Sequence, residues 1–283
     1  MALLDRRPLA DGPLPVDFPL VWRKVASDTS SSSSITIVTL NTARETSLTR
    51  ILRDFSRLER SGPPDILLLQ EVKAPRAGNA NATEQLAARL GFNYLYQPAN
   101  LWKDGSREGL AIVSRYPLVD PAVIRLPALD LVYNNRRRIA LSATAVTPLG
   151  RVRLFNVHLD TRVGIRDRLA QLAPVVAQAR AVSGPCVVAG DFNTSHFAWF
   201  GRVLPIPYQD QEIRVRRHFQ ATGFRTPFVH QKATFDLLGL RLDSIYVKGL
   251  EWAASGIEEI DFSDHHALWV SLRADKSERT GSR

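Results

Sequence analysis

The sequence predicts an α/β fold in which two packed mixed β-sheets carry helices on their outer faces. Short apolar runs, such as "ITIVTL" (35–40) and "DILLLQ" (65–70), alternate along the chain with helical patterns. Two later β-rich runs, "RIALSATAV" (138–146) and "RVRLFNVHL" (151–159), are separated by "TPLG", which predicts a hairpin. Because a purely parallel, doubly wound sheet has no hairpins, mixed sheets are favoured over that architecture.

The helical segments carry apolar residues three or four positions apart, which is the spacing of one helix face. The three stripes are Leu48, Ile51, Leu52, Phe55 and Leu58; then Leu86 and Leu90; then Ile165, Leu169, Leu172 and Val176. Gly91 is expected to end the second helix, and Pro174 to kink the third. Further strands are predicted at "GLAIVS" (109–114), "CVVAGDF" (186–192), "LDSIYV" (242–247) and "ALWVSL" (267–272).

The domain boundaries follow from two polar segments. "SDTSSSSS" (27–34) is a low-complexity run that predicts a flexible linker, so residues 1–34 are interpreted as a flexible arm with a Ser-rich linker. The arm contains apolar residues, which leaves open whether it docks on the domain or on a partner. One domain is expected over residues 35–274, followed by a disordered tail at 275–283.

Composition narrows the function classes. The chain of 283 residues has a formal net charge of +9, and six of its 37 basic residues are lysines. Arginine dominance suits phosphate recognition, although a GC-rich genome produces the same bias. Cys186 is the only cysteine, so an intramolecular disulfide or a Cys-based metal site is excluded, and a buried thiol is expected.

Localisation is inferred from the same composition. No apolar run approaches the roughly 20 residues that a membrane-spanning helix needs. The first 20 residues contain acids and prolines where a signal peptide needs an apolar core. A cytoplasmic monomer without stable membrane association is therefore expected.

Polar residues gather where the apolar runs stop. The strand-end residues are Asn41, Glu71, His158, Asp191 and Asn193, and Asp264 and His265 stand before "ALWVSL". Any one of them could simply begin a loop. Together they form a set of oxygen ligands and imidazoles without thiolates, which suits Mg²⁺, with Mn²⁺ as the alternative.

Seven motifs resemble those of the endonuclease/exonuclease/phosphatase superfamily. They are "TLNTAR", "LLLQEV", "GLAIVSR", "NVHLD", "GDFNT", "RLDSIYV" and "SDHHAL", in the family's order between about residues 35 and 273. The resemblance implies a four-layer α/β sandwich and a divalent-metal-dependent hydrolase acting on phosphate esters. It covers most of the chain, and the combination of "LQE", "GDFN" and "SDH" is specific.

The resemblance also implies a role for each motif residue. The metal would be held by Glu71, Asn41, Asp264 and Asp191. Asp191 and Asn193 would position water and a phosphate oxygen, His265 would be the general base or transition-state partner with Asp243 behind it, and His158 would contact the phosphate. The supporting residues are Glu108, which would orient His158, and Arg137 or its rival Arg138, which would face the phosphate. Asp243 could instead be an ordinary strand-end residue, and Arg136 to Arg138 a solvated charge run.

The substrate is argued from charge. Arginines in or near the motifs (Arg44, Arg136 to Arg138, Arg162, Arg166, Arg168) and those of "IRVRRHF" (213–219) favour nucleic acid, DNA or RNA, bound through backbone phosphates. A phosphatase or phospholipase-C-like enzyme for inositol phosphates or sphingolipids is the alternative, weakened because no membrane-inserting apolar hairpin is evident. Trp102, Phe197, Trp199 and Phe200 are interpreted as core or loop anchors rather than stacking platforms. A non-catalytic binding protein is the third hypothesis.

"SDHHAL" (263–268) contains two adjacent histidines. Neighbouring side chains of a strand point to opposite faces, so if both histidines lie on one strand, only one of them can serve a given site. The family pattern assigns the reactive role to His265. Strand alternation would place His266 with Leu268 and His265 with Ala267, and by itself does not choose between them.

Overall fold

The computed structural model describes residues 19–25, 32–58, 64–76, 79–129, 131, 136–200, 204–229, 232–236 and 239–275. Its elements in chain order are β1 (Val21–Arg23), β2 (Ser34–Asn41), α1 (Leu48–Leu58), β3 (Ile66–Ala74), α2 (Ala82–Leu90), β4 (Asn93–Leu101), β5 (Arg107–Ser114), β6 (Leu118–Arg125), β7 (Ile139–Thr147), β8 (Gly150–His158), α3 (Ile165–Ala181), β9 (Cys186–Asp191), β10 (Phe197–Phe200), β11 (Leu204–Pro207), α4 (Gln211–Gln220), β12 (Asp243–Lys248), β13 (Leu250–Glu258) and β14 (Ala267–Ala274). Most of the predicted arm and linker (1–18, 26–31) and of the tail (276–283) lies outside the described residues.

Two large sheets form the centre of the domain. One has seven strands in the order β1-β4-β5-β3-β2-β14-β13, and the other has five in the order β12-β9-β8-β7-β6. Both are mixed, since β2 pairs with β3, and β8 with β9, in parallel while the other pairs are antiparallel. The predicted fold class is therefore confirmed.

Three apolar clusters separate the four layers. The first lies between the sheets, the second between the seven-stranded sheet and helices α1 and α2, and the third between the five-stranded sheet and helices α3 and α4. Strand alternation builds this arrangement: Ile35 and Ile37 of β2 face the other sheet, whereas Val38 and Leu40 face the helices. Each central strand is thus apolar on both faces, which explains the unbroken apolar runs in the sequence.

Several predicted elements are confirmed. The β7–β8 hairpin pairs Thr147 with Gly150. Helix α2 begins after Asn81, whose side chain accepts a hydrogen bond from the backbone N–H of Glu84, and ends at Gly91 in the left-handed conformation. Pro174 lies inside α3.

The structure adds elements that the sequence patterns did not indicate. Residues Val21–Arg23 of the N-terminal arm form β1 and pair with β4, so this part of the arm docks on the domain. "IRVRRHF" belongs to helix α4, and this helix buries Val215 and Phe219. In addition, β10 and β11 form a separate two-stranded sheet.

A polar contact joins the two sheets beneath one end of the sandwich. The side-chain amide of Gln70 donates to Asn156 Oδ1 at 2.7 Å, and the Asn156 amide donates to the carbonyls of Leu69 and Ala111, both at 2.9 Å. Gln70 and Asn156 are fully buried. Because buried amides without partners are costly, this link fixes the position of one sheet over the other at the end where the polar strand ends meet.

Candidate active site

Four of the predicted site residues come together because their strands end at the same edge of the sandwich. Asn41, His158 and Asp191 end β2, β8 and β9, and Asp243 begins the antiparallel strand β12, directly opposite Asp191. Each continues the face that lower in the sheet packs between the two sheets; in β9, for example, Val187 and Ala189 precede Asp191 on that face. All four side chains are buried.

Gly190 allows this crowding beside Asp191. A Cβ atom at this position would lie 2.0 Å from the Val157 carbonyl oxygen, and the residue has a φ of +143°. Only glycine fits both conditions. The neighbouring strands therefore approach closely at the point where their polar ends begin.

Asp191 lies at the centre of the group. Its Oδ2 accepts a hydrogen bond from the Asn41 amide at 3.0 Å and lies 3.5 Å from His158 Nε2 and 3.9 Å from His265 Nε2. Its Oδ1 accepts from the Asn193 backbone N–H at 2.8 Å. Burial, with the nearby charge of Asp243, raises the pKa of Asp191, while His265 and the two hydrogen bonds oppose the rise. The Asp191 carboxylate thus comes from the five-stranded sheet, and the groups around it come from both sheets.

His265 and Asp243 form a buried pair. His265 Nδ1 lies 2.8 Å from Asp243 Oδ2, and the Phe235 ring covers the imidazole edge-on at 5.1 Å between centroids. Burial lowers the pKa of His265, but the Asp243 carboxylate outweighs it and, with Asp191 and Asp264, raises that pKa to about 10. The imidazole Nε2 therefore points at Asp191 with its tautomer and orientation set by Asp243.

The two adjacent histidines have different surroundings. His266 Nε2 contacts Asp236, an exposed residue, at 2.8 Å, and its backbone N–H donates to the Thr234 carbonyl. Strand β14 begins only at Ala267, and His265 instead forms an isolated bridge with Phe235. The expected alternation of the histidines with β14 is therefore wrong, because neither belongs to the strand. The structure brings His265 to the polar cluster and turns the half-buried His266 towards the exposed Asp236.

Glu71 and Glu108 form a second acidic group, carried by the neighbouring central strands β3 and β5 of the seven-stranded sheet. Glu71 lies at a bulge in β3, where the register shifts between Leu69 and Val72, and it has a φ of +51°. This left-handed conformation is strained for a glutamate and turns the carboxylate towards the site. Glu71 Oε1 lies 3.9 Å from His158 Nε2. Burial and the charge of Glu71 raise the pKa of Glu108.

Two arginines neutralise these glutamates. Arg44 Nε lies 3.3 Å from Glu71, and an Arg136 terminal nitrogen lies 3.4 Å from Glu108 and 3.7 Å from Glu71. Both guanidinium groups stack on the Trp102 ring, at 5.6 Å for Arg44 and 4.9 Å for Arg136. The sequence patterns did not assign Arg136 or Trp102 to a contact with these glutamates.

The two arginines that were predicted to face the phosphate, Arg137 and Arg138, follow Arg136 in the chain. Arg137 is held by its backbone, which exchanges two hydrogen bonds with the Asn100 side chain. Arg138 is buried, and its Nε donates to Asp160 at 2.8 Å. Both line a small pocket that also contains Glu108 and His158. Arg138 is thus committed to an internal ion pair, whereas Arg136 is the arginine of this run beside Glu71.

His158, Asn193 and Asp264 complete the predicted set. Burial, followed by the charge of Arg138 and other nearby cations, lowers the pKa of His158 well below its usual value, so this imidazole is neutral. The Asn193 amide donates to the Leu159 carbonyl at 2.9 Å, and its φ of +50° turns the chain away from β9. Asp264 is exposed. Within the described part of the chain, no hydrogen bond or ion pair links its side chain to the cluster around Asp191.

The donor set fits a divalent cation. Ligand atoms of Asp191, Asp243 and His265 all lie within 4.8 Å of one another, and this group could hold a metal ion. Asp243 Oδ1 and Glu108 Oε2 are buried without a hydrogen-bond partner among the described residues. Unsatisfied carboxylate oxygens beside further oxygen donors are what a hard cation requires.

The arginine rim is smaller than the sequence indicated. Arg168 is fully buried and donates to the Asp160 and Phe192 carbonyls and to Gln211 Oε1, at 2.6 to 2.9 Å. The prediction that it lines a nucleic-acid-binding rim is therefore wrong. Arg162 and Arg166 are exposed, and Arg162 stacks on Trp199 at 5.7 Å.

An apolar hairpin stands beside the site. Strands β10 and β11 follow Asn193 closely and expose Phe200, Leu204 and Ile206, which are 68%, 58% and 43% accessible. The sequence analysis did not recognise this apolar hairpin, and the assignment of Phe200 as a core or loop anchor is wrong because its side chain is exposed. Strand β11 was not predicted because it contains Pro205 and Pro207, and proline within a run argues against a strand unless that strand lies at a sheet edge.

The comparisons with known proteins agree with this architecture. A UPF0294 protein of Vibrio vulnificus is 31% identical over 120 residues, which is 42% of this chain and 38% of the relative, so the chain spans well under half the length of the curated relatives it matches. An endonuclease/exonuclease/phosphatase from Beutenbergia cavernae superposes with a TM-score of 0.67 at 20% identity, covering 86% of this chain and 72% of that one. The 3′ phosphatase NExo from Neisseria, bound to a product DNA hairpin, gives a TM-score of 0.57 at 22% identity, covering 85% and 99%.

The family model named Endonuclease/Exonuclease/phosphatase family matches residues 38–265, which span the strands that carry the site from β2 to His265. Members of this family hydrolyse phosphoester bonds. No helix among the described residues is long and apolar enough to cross a membrane. This chain belongs to the endonuclease/exonuclease/phosphatase family.

Proposed function

We propose that the chain is a Mg²⁺-dependent phosphodiesterase that cleaves nucleic acid, with Mn²⁺ as the alternative metal. The observation that carries this proposal is the buried Asp243–His265 pair, at 2.8 Å, whose free Nε2 faces Asp191 at 3.9 Å. A metal-binding carboxylate, Glu71, lies on the other side of His158. The arrangement offers both an acceptor for a water proton and positive charge for a phosphate.

The residues divide the work of hydrolysis by their charge states. Because the pKa of His265 is about 10, the imidazolium form is favoured at neutral pH, and it would stabilise the charge that develops on the phosphate. Asp191, whose pKa is raised by burial, is the acceptor for the proton of the attacking water, with the Asn193 N–H fixing its other oxygen. Asp243 holds His265 in place throughout.

The metal would be held by Glu71 and Asn41, with Asp191 adjacent. When bound, a divalent cation supplies charge neutralisation at the phosphate and at the leaving oxygen. His158 is neutral and can donate one hydrogen bond to a phosphate oxygen. Asp264 contributes through its charge on His265 rather than through direct ligation.

Nucleic acid is favoured as the substrate by charge and by similarity. The net charge of +9 and the exposed Arg162 and Arg166 suit a polyanion held by its backbone phosphates. Arg44 and Arg136 are better placed than Arg137 or Arg138 to receive the cleaved phosphate. The DNA-bound phosphatase of Neisseria supports the same substrate class. A cytoplasmic monomer remains the proposed form.

The test is hydrolysis by the purified chain with Mg²⁺, Mn²⁺, Ca²⁺ or chelator. The substrates are plasmid DNA, single-stranded RNA, an inositol polyphosphate, sphingomyelin and bis-p-nitrophenyl phosphate. We expect metal-dependent cleavage of DNA or RNA that Glu71→Ala abolishes and Glu259→Ala, at an exposed position outside the site, preserves. Turnover that survives chelator would refute the metal mechanism.

A second candidate, hydrolysis of a phospholipid headgroup, is favoured by the exposed β10–β11 hairpin. It predicts release of the headgroup from sphingomyelin with no nicking of plasmid DNA. That outcome would replace the nucleic-acid substrate and leave the roles of the site residues unchanged.

A further inference from the structure

The β10–β11 hairpin exposes apolar side chains in a way that the rest of the described surface does not. Eight large apolar residues of the described chain are exposed, and four of them, Phe200, Leu204, Ile206 and Tyr208, belong to this hairpin or follow it directly. The other four are scattered over separate elements, as is normal for a soluble surface. The concentration at one projecting element indicates a contact surface.

Neither face of the two described strands, β10 and β11, is polar. The pairing places Ala198, Phe200, Leu204 and Ile206 on one face and Phe197, Trp199, Pro205 and Pro207 on the other. A hairpin in water normally alternates apolar with polar residues so that one face is solvated. These two strands contain no charged or hydrogen-bonding side chain other than the Trp199 indole, which suits an apolar medium on both sides.

The prolines restrict what can bind there. Pro205 and Pro207 are two residues apart and so lie on the same edge of β11, where neither can donate an N–H. Addition of a strand from another chain to this edge is therefore disfavoured. The hairpin is therefore suited to contact through its two faces rather than to pairing with a further strand.

The base of the hairpin is fixed to the active site. The Tyr208 N–H donates to the His196 carbonyl at 2.7 Å, and the Gln211 amide donates to the Phe197 carbonyl at 3.0 Å. Gln211 in turn accepts from buried Arg168, which also binds the Phe192 carbonyl next to Asp191. Whatever the hairpin contacts is thus held at a set position relative to the catalytic cluster.

The charge beside the hairpin is positive. Arg162 is exposed, stacks on Trp199, and has no carboxylate of the described residues within ion-pair distance. Arg166 is exposed one helical turn further on. Apolar side chains flanked by exposed arginines match the boundary between acyl chains and anionic headgroups.

We propose that the β10–β11 hairpin docks reversibly into the surface of a lipid bilayer that contains anionic phospholipid, with Phe200, Leu204 and Ile206 entering the acyl boundary and Arg162 meeting the headgroups. Four strand residues extend about 13 Å, which is sufficient for the 5–10 Å depth of an interfacial element. Three apolar side chains give binding that exchanges, not permanent anchoring. The docking goes beyond phosphodiester hydrolysis and leaves the substrate of the site unspecified.

The test is flotation of the full chain with vesicles of phosphatidylcholine alone or of phosphatidylcholine with phosphatidylglycerol. We expect binding to the anionic vesicles that falls at high salt and falls about tenfold with Ile206→Ser, by the loss of one buried aliphatic side chain. Val146→Ser is the matched control, since Val146 is 40% exposed on β7, against 43% for Ile206. Equal binding of the two variants would overturn the proposal.

A second measurement locates the hairpin in the bilayer. Cys186 is buried, so an environment-sensitive thiol dye can be placed on Ile206→Cys or, as control, on Val146→Cys. The dye at 206 should shift to shorter wavelength with anionic vesicles, and the dye at 146 should not. If single-stranded oligonucleotide shifts the dye at 206 and vesicles do not, the hairpin is a nucleic-acid surface and the lipid proposal fails.

Docking and hydrolysis fail separately in these experiments. Hydrolysis of bis-p-nitrophenyl phosphate by the Ile206→Ser variant should match that of the wild type, because this residue is outside the catalytic cluster. A chain that binds vesicles but hydrolyses nothing would disprove the proposed function and retain the docking surface. A chain that hydrolyses the ester but binds neither vesicle type would disprove the docking surface and retain the proposed function.

Discussion

The two sheets hold their carboxylates in different ways. On the five-stranded sheet Asp191 and Asp243 are 1% and 5% exposed, lie on directly paired strand positions, and are held by an amide, a backbone N–H and an imidazole. On the seven-stranded sheet Glu71 stands on a strained bulge, and its nearest cation, Arg44, has a side chain that is 39% exposed.

This difference separates a rigid half of the site from an adaptable half. Direct hydrogen bonds from buried groups fix the first half before any substrate arrives. Partly exposed guanidinium groups compensate the second half, and their interaction with a carboxylate is weakened by water. We therefore expect a cation or phosphate to rearrange the contacts of Glu71 and Glu108 more readily than those of Asp191.

The largest effect should follow from breaking the rigid half at its imidazole. His265→Ala should lower kcat by about 10² to 10⁴-fold, the range for a positioned proton-transfer or charge-stabilising group. His266→Ala should change kcat by less than a few fold, because its side chain contacts Asp236 at the surface. Steady-state hydrolysis of bis-p-nitrophenyl phosphate, with folding checked by circular dichroism, distinguishes the two.

Equal losses in both histidine variants would mean that the site extends to Asp236. The difference between His265 and His266 would then be one of degree.

The next effect concerns the link that fixes one half over the other. Asn156→Ala removes three buried hydrogen bonds that join the sheets and should lower the free energy of unfolding by about 2–3 kcal/mol. Asn79→Ala, at an exposed position, should change it by less than about 0.5 kcal/mol. Urea unfolding measures both values, and comparable values would show that the link is not structural.

Removal of Trp102 tests the adaptable half. Trp102→Leu leaves Arg44 and Arg136 without their stacking surface, where each cation–π contact is worth about 0.5–1 kcal/mol. We expect kcat/KM to fall about tenfold, mainly through KM, and the loss to be smaller at high salt, which already screens the attraction between arginine and phosphate. A fall in kcat alone would place Trp102 in the chemical step instead.

The smallest effect is an absence of reactivity in the rigid half. Cys186 begins β9, the strand that ends in Asp191, and burial raises the pKa of its thiol to about 12. Native protein at pH 8 should react with Ellman's reagent no faster than it unfolds. Faster labelling would show that β9 opens locally and that the half is less rigid than its contacts indicate.

The rigid half is also the half that the sequence predicted best. Asn41, His158 and Asp191 follow unbroken apolar runs, so alternation and strand ends place them on one face without any knowledge of the fold. The layers could be predicted for the same reason, because central strands buried on both faces have a composition of their own. His265 and its partner Asp243 were both assigned by their motifs, and the structure adds the 2.8 Å distance between them.

The remaining features depend on contacts between distant residues. Arg136 rather than Arg137 reaches Glu71 because of how residues 136–138 approach β7, and three consecutive arginines carry no signal that separates them. Arg168 looked like part of a basic rim, but its guanidinium replaces missing partners for two backbone carbonyls in the interior. The β10–β11 hairpin was not predicted because prolines interrupt the sequence pattern of β11.

The position of β14 has a consequence for synthesis. This strand lies between β2 and β13, so residues 268–273 pair with residues 34–39, more than 220 positions earlier. A chain emerging from a ribosome therefore carries β2 with one edge unpaired until nearly all of the domain has been made, and such high contact order slows folding. His265 directly precedes this last strand, so nascent or truncated chains that lack β14 also lack the imidazole of the site, leave one edge of β2 unpaired, and should depend on chaperones.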